Sequence, residues 1–361
     1  MNKFFKLDWV LLISISLLLI ISLLIIYSVS FSGATFNPAN FQKQIISIVI
    51  GIGAMFFLSF FDYRLLNSHS TKLYFLMLII LMAVILFGKT VKGNTGWLEF
   101  FFFNFQPVEL AKIIMVIFLA SFLSKKKTQL SIFVRIISSI VLIFIPIFLI
   151  MKQPDLGSAT IILASWGTLL LASGLNKKNL AILLIFGILT TSSSWFFLKD
   201  YQKDRIMNFV KPERDPMGSG YNVIQATIAV GSGGMFGSGL GHGSQSQLNF
   251  LPEKHTDFIF SVITEELGLV GAMAIFVLFG IIFWRIKETA RLARDNFGYL
   301  LTLGILSILF FQFLINVGMN IGVMPVAGVP LSFLSYGGSS MVMMLCAIGL
   351  VESVYLRRIK V

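Results

Sequence analysis

The residues best suited to chemistry lie in one run, Leu251 to Gly271, LPEKHTDFIFSVITEELGLVG. Its first half sets Glu253, Lys254, His255, Thr256 and Asp257 side by side, and its second half opens a long apolar segment. Asp257 therefore stands where water meets an apolar phase, and a partly desolvated carboxylate is a stronger base. Glu265 and Glu266 follow about two turns later, at a depth where an ionised group is costly and is either functional or paired. Elsewhere, Glu109 and Lys112 in FQPVELAKI are three residues apart, share a helix face and can pair. Asp155 in KQPDLGSA stands at a helix entrance, where a carboxylate caps free N–H groups. His242 and His255 with Glu253 and Asp257 match no zinc-ligand spacing. Mg²⁺, which needs only one or two carboxylates plus substrate oxygens, suits the run better.

The elements that must position these residues cross a membrane. Of the 361 residues, 57% are hydrophobic and 12% charged, with mean hydropathy +0.89, too little polar surface for a soluble globule. Apolar runs long enough for a core of about 30 Å fall near 9–30, 44–61, 73–88, 107–123, 132–151, 158–174, 180–198, 258–284, 299–320 and 340–356. The expectation is an all-α, polytopic integral membrane protein of about ten transmembrane helices, read as a single domain over 1–361. The first run is too long for a signal-peptide core and is read as a retained span. With the N-terminus inside, the inner segments hold most of the Lys and Arg, and the outer ones keep only Lys43, Lys89, Lys92 and Lys152 among their short segments. That asymmetry places both termini in the cytoplasm and assigns the net charge of +12 to topology rather than to nucleic acid. One cysteine, Cys346, excludes an intrachain disulfide framework.

This topology leaves one long extracytoplasmic loop, about 199–257, between helices 7 and 8. Loops of that length are usually functional. Its glycine-rich part, GSGGMFGSGLGHGSQSQ, has neither a G-x-G-x-x-G register nor a Walker lysine, so no nucleotide cofactor is indicated. The last outer segment carries Asn316, Asn320, Pro325, Gly328, Pro330, Ser335, Gly337, Gly338, Ser339 and Ser340. Residues that break a helix at membrane depth belong where backbone is buried in protein or lines a wet cavity. A cavity beside Asp257 is the inference.

Five blocks in this order, FQPVELAK, QPDLG, GYNVIQATIAVGSGGMFG, FLPEKHTDFIF with EELGLVG, and GVPLSFLSYGGSS, resemble the shape, elongation, division and sporulation (SEDS) family, the RodA and FtsW proteins, over nearly the whole chain. The short termini look more like RodA. The resemblance implies a ten-helix peptidoglycan glycosyltransferase of the cell membrane that polymerises lipid II on its outer face for cell elongation and rod shape. It aligns Asp257 with the family's essential aspartate, Glu109 and Lys112 with its helix-face pair, and Asp155 with its QPDLG aspartate. For that reaction Asp257 is the expected general base of a single inverting displacement, and Glu109, Lys112, Lys152, Asp155, Arg205, Gln245, Glu253, Lys254, His255, Thr256 and Ser339 are the expected substrate-binding residues. Lys112, Lys152, Arg205, Lys254 or a divalent cation (Mg²⁺ or Mn²⁺) would stabilise the departing pyrophosphate. Gly96, Ser238, Ser244, Ala327 and Ser332 stand where the family more often has arginine, lysine, threonine, threonine and proline. A class B penicillin-binding protein (a transpeptidase), the elongation or division machinery and membrane lipid are the implied partners. A division polymerase of the FtsW kind, a lipid II flippase and a scaffold that only recruits a transpeptidase are the alternative readings.

Overall fold

The structure is a computed structural model, and it describes residues 3–32, 35–36, 38–91, 94–100, 103–125, 132–174, 200–211 and 219–359. After a 3-10 turn, Lys3–Lys6, the helices are α1 (Trp9–Val29), α2 (Ala39–Phe60), α3 (Arg64–Phe87), α4 (Pro107–Ser124), α5 (Ile132–Lys152) and α6 (Leu156–Ala172). They continue with α7 (Asp200–Val210), α8 (Ser219–Ser232), the single turn α9 (Ser244–Gln247), α10 (Ile259–Arg291), α11 (Asn296–Asn320) and α12 (Gly338–Leu356). Among the described residues, eight helices are long and apolar enough to cross a membrane, and α6 is a shorter apolar helix. The expected span at 180–198 lies outside the described residues.

Local chemistry sets many of the starts. Asp8 caps α1 by accepting from the Leu11 N–H at 3.2 Å, Asp295 caps α11 through the Gly298 N–H at 2.6 Å, and Pro107 occupies the first turn of α4, where no N–H is needed. α2 and α3 begin well before their apolar runs, and polar residues within their first two turns have partners inside the bundle. Gln44 donates to Ser22 Oγ at 3.1 Å, and Ser70 donates to Ser121 Oγ at 2.8 Å.

α4, α11 and α12 are the most enclosed helices and form the centre. α2 packs along α12, α3 along α4, and α11 lies against α4, α6 and α10. α2, α3, α5 and the second part of α10 turn large apolar side chains outward, among them Phe57, Ile79, Phe144 and Val277, as lipid-facing helices do. Two antiparallel ribbons decorate the α2 and α4 approaches: β1 (Phe31–Ser32) with β2 (Thr35–Phe36), and β3 (Lys89–Val91), β4 (Asn94–Phe100) and β5 (Phe103–Phe105) in that order.

The long connection is more regular than its composition indicates. Its amphipathic and glycine-rich parts supply α7, α8 and α9, and α8 packs against α10 and α11.

Candidate active site

α10 is broken at Gly268, whose φ of 67° and ψ of −163° interrupt the helix. A short first segment, 259–267, therefore carries Asp257 at its entrance, and a second segment runs on to Arg291. Phe258 caps the first segment, and Asp257 immediately before it is half-buried.

The chain around Asp257 is held by side chains from α11 and from the 321–337 connection. Asn316 Nδ2 and Asn320 Nδ2 both donate to the Asp257 backbone carbonyl, at 2.9 and 3.0 Å. Asn320 Oδ1 accepts from the Ser261 N–H at 3.0 Å and its hydroxyl at 2.6 Å, which fixes the first turn of α10. Asn316 Nδ2 also reaches Val329 O at 2.7 Å. One residue back, Ser335 Oγ donates to Thr256 O at 2.6 Å, and the Tyr336 N–H donates to His255 O at 2.8 Å. Three consecutive carbonyls, 255 to 257, are thus tied to two other elements. Both asparagines are fully buried, so every one of these bonds forms where an unmet polar group would cost about 1–3 kcal/mol. A Cβ added at Gly328 would lie 3.7 Å from Asp257 Oδ2, which puts the carboxylate against the 321–337 connection.

A second polar group lies at the ends of α4 and α6. Lys112 Nζ meets Glu109 Oε1 at 2.7 Å, both buried, so the expected pair is made. The second oxygen, Glu109 Oε2, is buried without a hydrogen bond. Asp155 accepts from the Ser158 N–H at 2.9 Å and caps α6, as its place before an apolar run indicates. Burial pushes its carboxyl pKa up, and the Lys112 ammonium and Ser158 N–H pull against that. Gly157 lies so close to Ala327 O that a Cβ there would stand 2.5 Å away. The connection beside Asp257 thus also rests on the α6 entrance. Ser339 Oγ accepts from the Gln106 N–H at 3.0 Å and joins the starts of α4 and α12.

The other residues of the 253–257 run are placed by the same frame. Glu253 has a positive φ of 51°, its carbonyl accepts from the Thr256 N–H at 3.0 Å, and its Oε2 accepts from Thr256 Oγ1 at 3.2 Å. Lys254 is buried and turned away from solvent: Nζ donates to Ser246 O at 2.6 Å and Asn249 Oδ1 at 2.7 Å. Burial holds its pKa below the usual lysine value, against the pull of Glu266 and Glu265. Lys152 is exposed in the last turn of α5, its Nζ 5.3 Å from the Phe148 ring centre. The Arg205 side chain lies outside the described residues.

Glu265 and Glu266 are both hydrogen-bonded, Glu265 by the glycine-rich segment and Glu266 by that segment and α1. Glu265 accepts from the N–H groups of Gln245 at 2.7 Å and Ser246 at 3.1 Å, and Glu266 from Ser28 Oγ at 2.7 Å and Gln247 Nε2 at 3.3 Å. Gln245 is therefore engaged through its backbone, while its side-chain Oε1 is buried without a hydrogen bond. Among the described residues no three His, Cys, Asp or Glu side chains gather as metal ligands. The donor set fits a Mg²⁺-like ion only in the form that completes its shell with water and substrate oxygens.

In the sequence alone, Asn316 and Asn320 stand only as interruptions of an apolar helix. Their spacing of four on one face was the signal that they act together.

A family model described as cell cycle protein, for FtsW, RodA and SpoVE, matches residues 4–359. The chain is 38% identical over 346 residues to the peptidoglycan glycosyltransferase MrdB of Escherichia coli K12, covering 95% of this chain and 93% of that one. It is similar, at TM-score 0.82 and 30% identity over 97% of both chains, to a solved chain from a peptidoglycan synthase complex in which polymerization and crosslinking are structurally coordinated. It is also similar to crystalline Thermus thermophilus RodA, a rod shape determining protein, at TM-score 0.73 and 25% identity over 98% of both chains.

Proposed function

Because the chain belongs to the cell cycle protein family of FtsW, RodA and SpoVE, we propose that it is a peptidoglycan glycosyltransferase of the RodA kind, building glycan strands from lipid II for cell elongation. The observation that carries the catalytic part of this reading is the frame around Asp257. Three successive backbone carbonyls are fixed by Asn316, Asn320, Ser335 and Tyr336, so the carboxylate is presented at the rim of the bundle from a rigid base.

The acceptor sugar's 4-hydroxyl attacks the donor's anomeric carbon as Asp257 takes the hydroxyl proton. The bond from that carbon to the pyrophosphate breaks, and undecaprenyl pyrophosphate leaves with the electron pair. One such displacement inverts the anomeric centre, and its charge is oxocarbenium-like. A bound divalent cation would supply charge neutralisation at the pyrophosphate. Glu253, His255 and Thr256 are the substrate contacts nearest the base. Glu109, Lys112, Asp155, Lys254 and Ser339 act from behind as the framework that shapes the site, and Lys152 and Arg205 are the cations left to meet the pyrophosphate.

Both termini lie in the cytoplasm in this reading. Support comes from the basic residues and from the joining of the chain ends: the Asp8 N–H donates to Glu352 Oε2 at 3.1 Å, and the Ile359 N–H donates to Leu292 O at 3.0 Å. The match over 4–359 supports one domain. A class B penicillin-binding protein is the partner, as the similarity to a chain of a synthase complex supports.

The test is glycan synthesis from fluorescent lipid II by the purified protein with its penicillin-binding protein and a divalent cation, read as a ladder on a gel. Wild type is expected to give the ladder and Asp257→Ala none, with folding and partner binding intact. A ladder from the variant would remove Asp257 as base. No glycan from either protein, with lipid II translocated in liposomes, would replace the polymerase reading by the flippase.

A further inference from the structure

The break in α10 is filled by another part of the chain. An unbroken helix would pair the N–H groups of Leu269 and Val270 with the carbonyls of Glu265 and Glu266. Instead, Leu269 and Val270 donate to Gly234 O at 2.9 Å and Met235 O at 3.1 Å, while the Ser238 and Gly239 N–H groups donate to Glu265 O and Glu266 O, both at 3.0 Å. Four backbone groups exposed by the Gly268 break are thus met by the turn at 234–239. The approach leaves no room for side chains: a Cβ on Gly268 would run into Gly237 N, one on Gly237 would run into Glu266 O, and both glycines have positive φ.

The depth of this junction follows from the helix. Fifteen residues separate Val270 from Arg285, or about 23 Å at 1.5 Å per residue, less than the roughly 30 Å of a hydrocarbon core. With Arg285 at one boundary, Val270 lies inside the other leaflet. Leu269, Val270 and Met273 face outward there. The segment hydrogen-bonded to them carries Met235, 60% exposed, and Phe236, 80% exposed. No Asp, Glu, Lys or Arg occurs from Met217 to Pro252. Irregular backbone at membrane depth must have its polar groups met within the protein, and here the broken helix meets them.

We propose that residues 233–240 re-enter the bilayer in the leaflet on the Asp257 side and that Met235 and Phe236 contact lipid acyl chains, continuing the lipid-facing surface of α10. The segment is then a membrane-seated wedge and not part of an aqueous loop. Because α10's first segment leads directly back to Asp257, lipid packing bears on the base through this junction.

The experiment labels single cysteines with bimane in a Cys346→Ser background, in nanodiscs whose phosphatidylcholine carries bromine near the headgroup end of the acyl chains. Phe236→Cys and Met235→Cys are expected to lose as much emission as the lipid-facing control Met273→Cys, and to resist aqueous iodide. Asp204→Cys, exposed on α7, is the opposite control. Iodide quenching at 235 and 236 like that at 204 would overturn the proposal by placing the turn in water. Protection from both quenchers would overturn it too, by showing a protein surface over the turn. Two neighbouring labels keep the test decisive should one variant fail to fold.

Discussion

The two ends of the bundle solve opposite problems with different bonds. At the end that holds the termini, charge meets charge. Arg285 Nε lies 2.7 Å from Asp8 Oδ2, Arg357 Nε 3.6 Å from Asp62 Oδ2, and Arg64 Nε 3.4 Å from Asp295 Oδ2, which also accepts from the Tyr63 hydroxyl at 2.7 Å. At the Asp257 end the buried Glu109–Lys112 pair lies behind the site, while the chain around Asp257 itself is held by neutral amides and hydroxyls on backbone carbonyls, so this frame fixes its position and leaves chemistry to the side chains. Ion pairs at the first end lock helices together, and the neutral clamp at the second aims one residue. Mutations should separate the two.

The largest contrast is between two aspartates. Asp257→Ala is expected to lower glycan synthesis by about 10²–10⁴-fold, the usual scale of a general base, and to leave unfolding in detergent near wild type. Asp8→Ala should do the reverse, because it removes the α1 cap and the ion-pair partner of a partly exposed guanidinium, and costs ~1–3 kcal/mol. Thermal unfolding and ladder intensity per folded molecule, measured on both, test the contrast. A folded Asp8→Ala protein without activity would erase the distinction between ends.

A smaller effect should come from the clamp itself. Asn320→Ala removes a donor to Asp257 O and the acceptor for the Ser261 N–H and hydroxyl. The loss is ~1–3 kcal/mol, and turnover should fall more than the half-saturating lipid II concentration rises. Asn316→Ala leaves Asn320 on the same carbonyl and should be milder. Equal losses of turnover and binding would make the asparagines merely structural.

At the other end, pH separates the groups. Burial, and then the Asp295 carboxylate, push the Tyr63 pKa from 10 up to about 12. The folded chain therefore keeps a proton that the unfolded chain loses above pH 10. This stability is complete below pH 10 and is lost as pH rises toward 12. Tyr63→Phe should flatten that decline and cost ~1 kcal/mol at pH 8 through the lost hydrogen bond. An unchanged slope between pH 10 and 12 would assign the decline to other groups.

Hydropathy made the helices legible because burial in lipid demands long apolar runs. It could not show the polar first two turns of α2 and α3, where Gln44 and Ser70 bond to Ser22 of α1 and Ser121 of α4. Nor could it show the break at Gly268: a single glycine after Glu265 and Glu266 in a long apolar run does not by itself end a helix, and the compensating bonds come from a segment some thirty residues earlier. Asp257 was visible as a carboxylate at a phase boundary. Its clamp was not, since hydrogen bonds to backbone carbonyls depend on which elements pack together. Lys254 read as a cation for phosphate, yet its ammonium is spent on Ser246 O and Asn249 Oδ1.

The finest test concerns Asp155, which lies nearer the Asp257 end yet bonds like the other one. Burial raises its pKa above the unfolded value, so the folded chain holds the proton more tightly, and stability falls as pH rises through the interval between the two values. Asparagine caps a helix about as well as aspartate and carries no charge to desolvate. Asp155→Asn should therefore match or slightly exceed wild-type stability at pH 7 and flatten the pH dependence below it. Because the carboxylate faces its own helix start, through the Ser158 N–H, half-saturation by lipid II should change by less than about twofold, under ~0.5 kcal/mol. A tenfold rise with stability unchanged would show that this charge meets substrate and would extend the neutral, aiming end of the molecule to the entrance of α6.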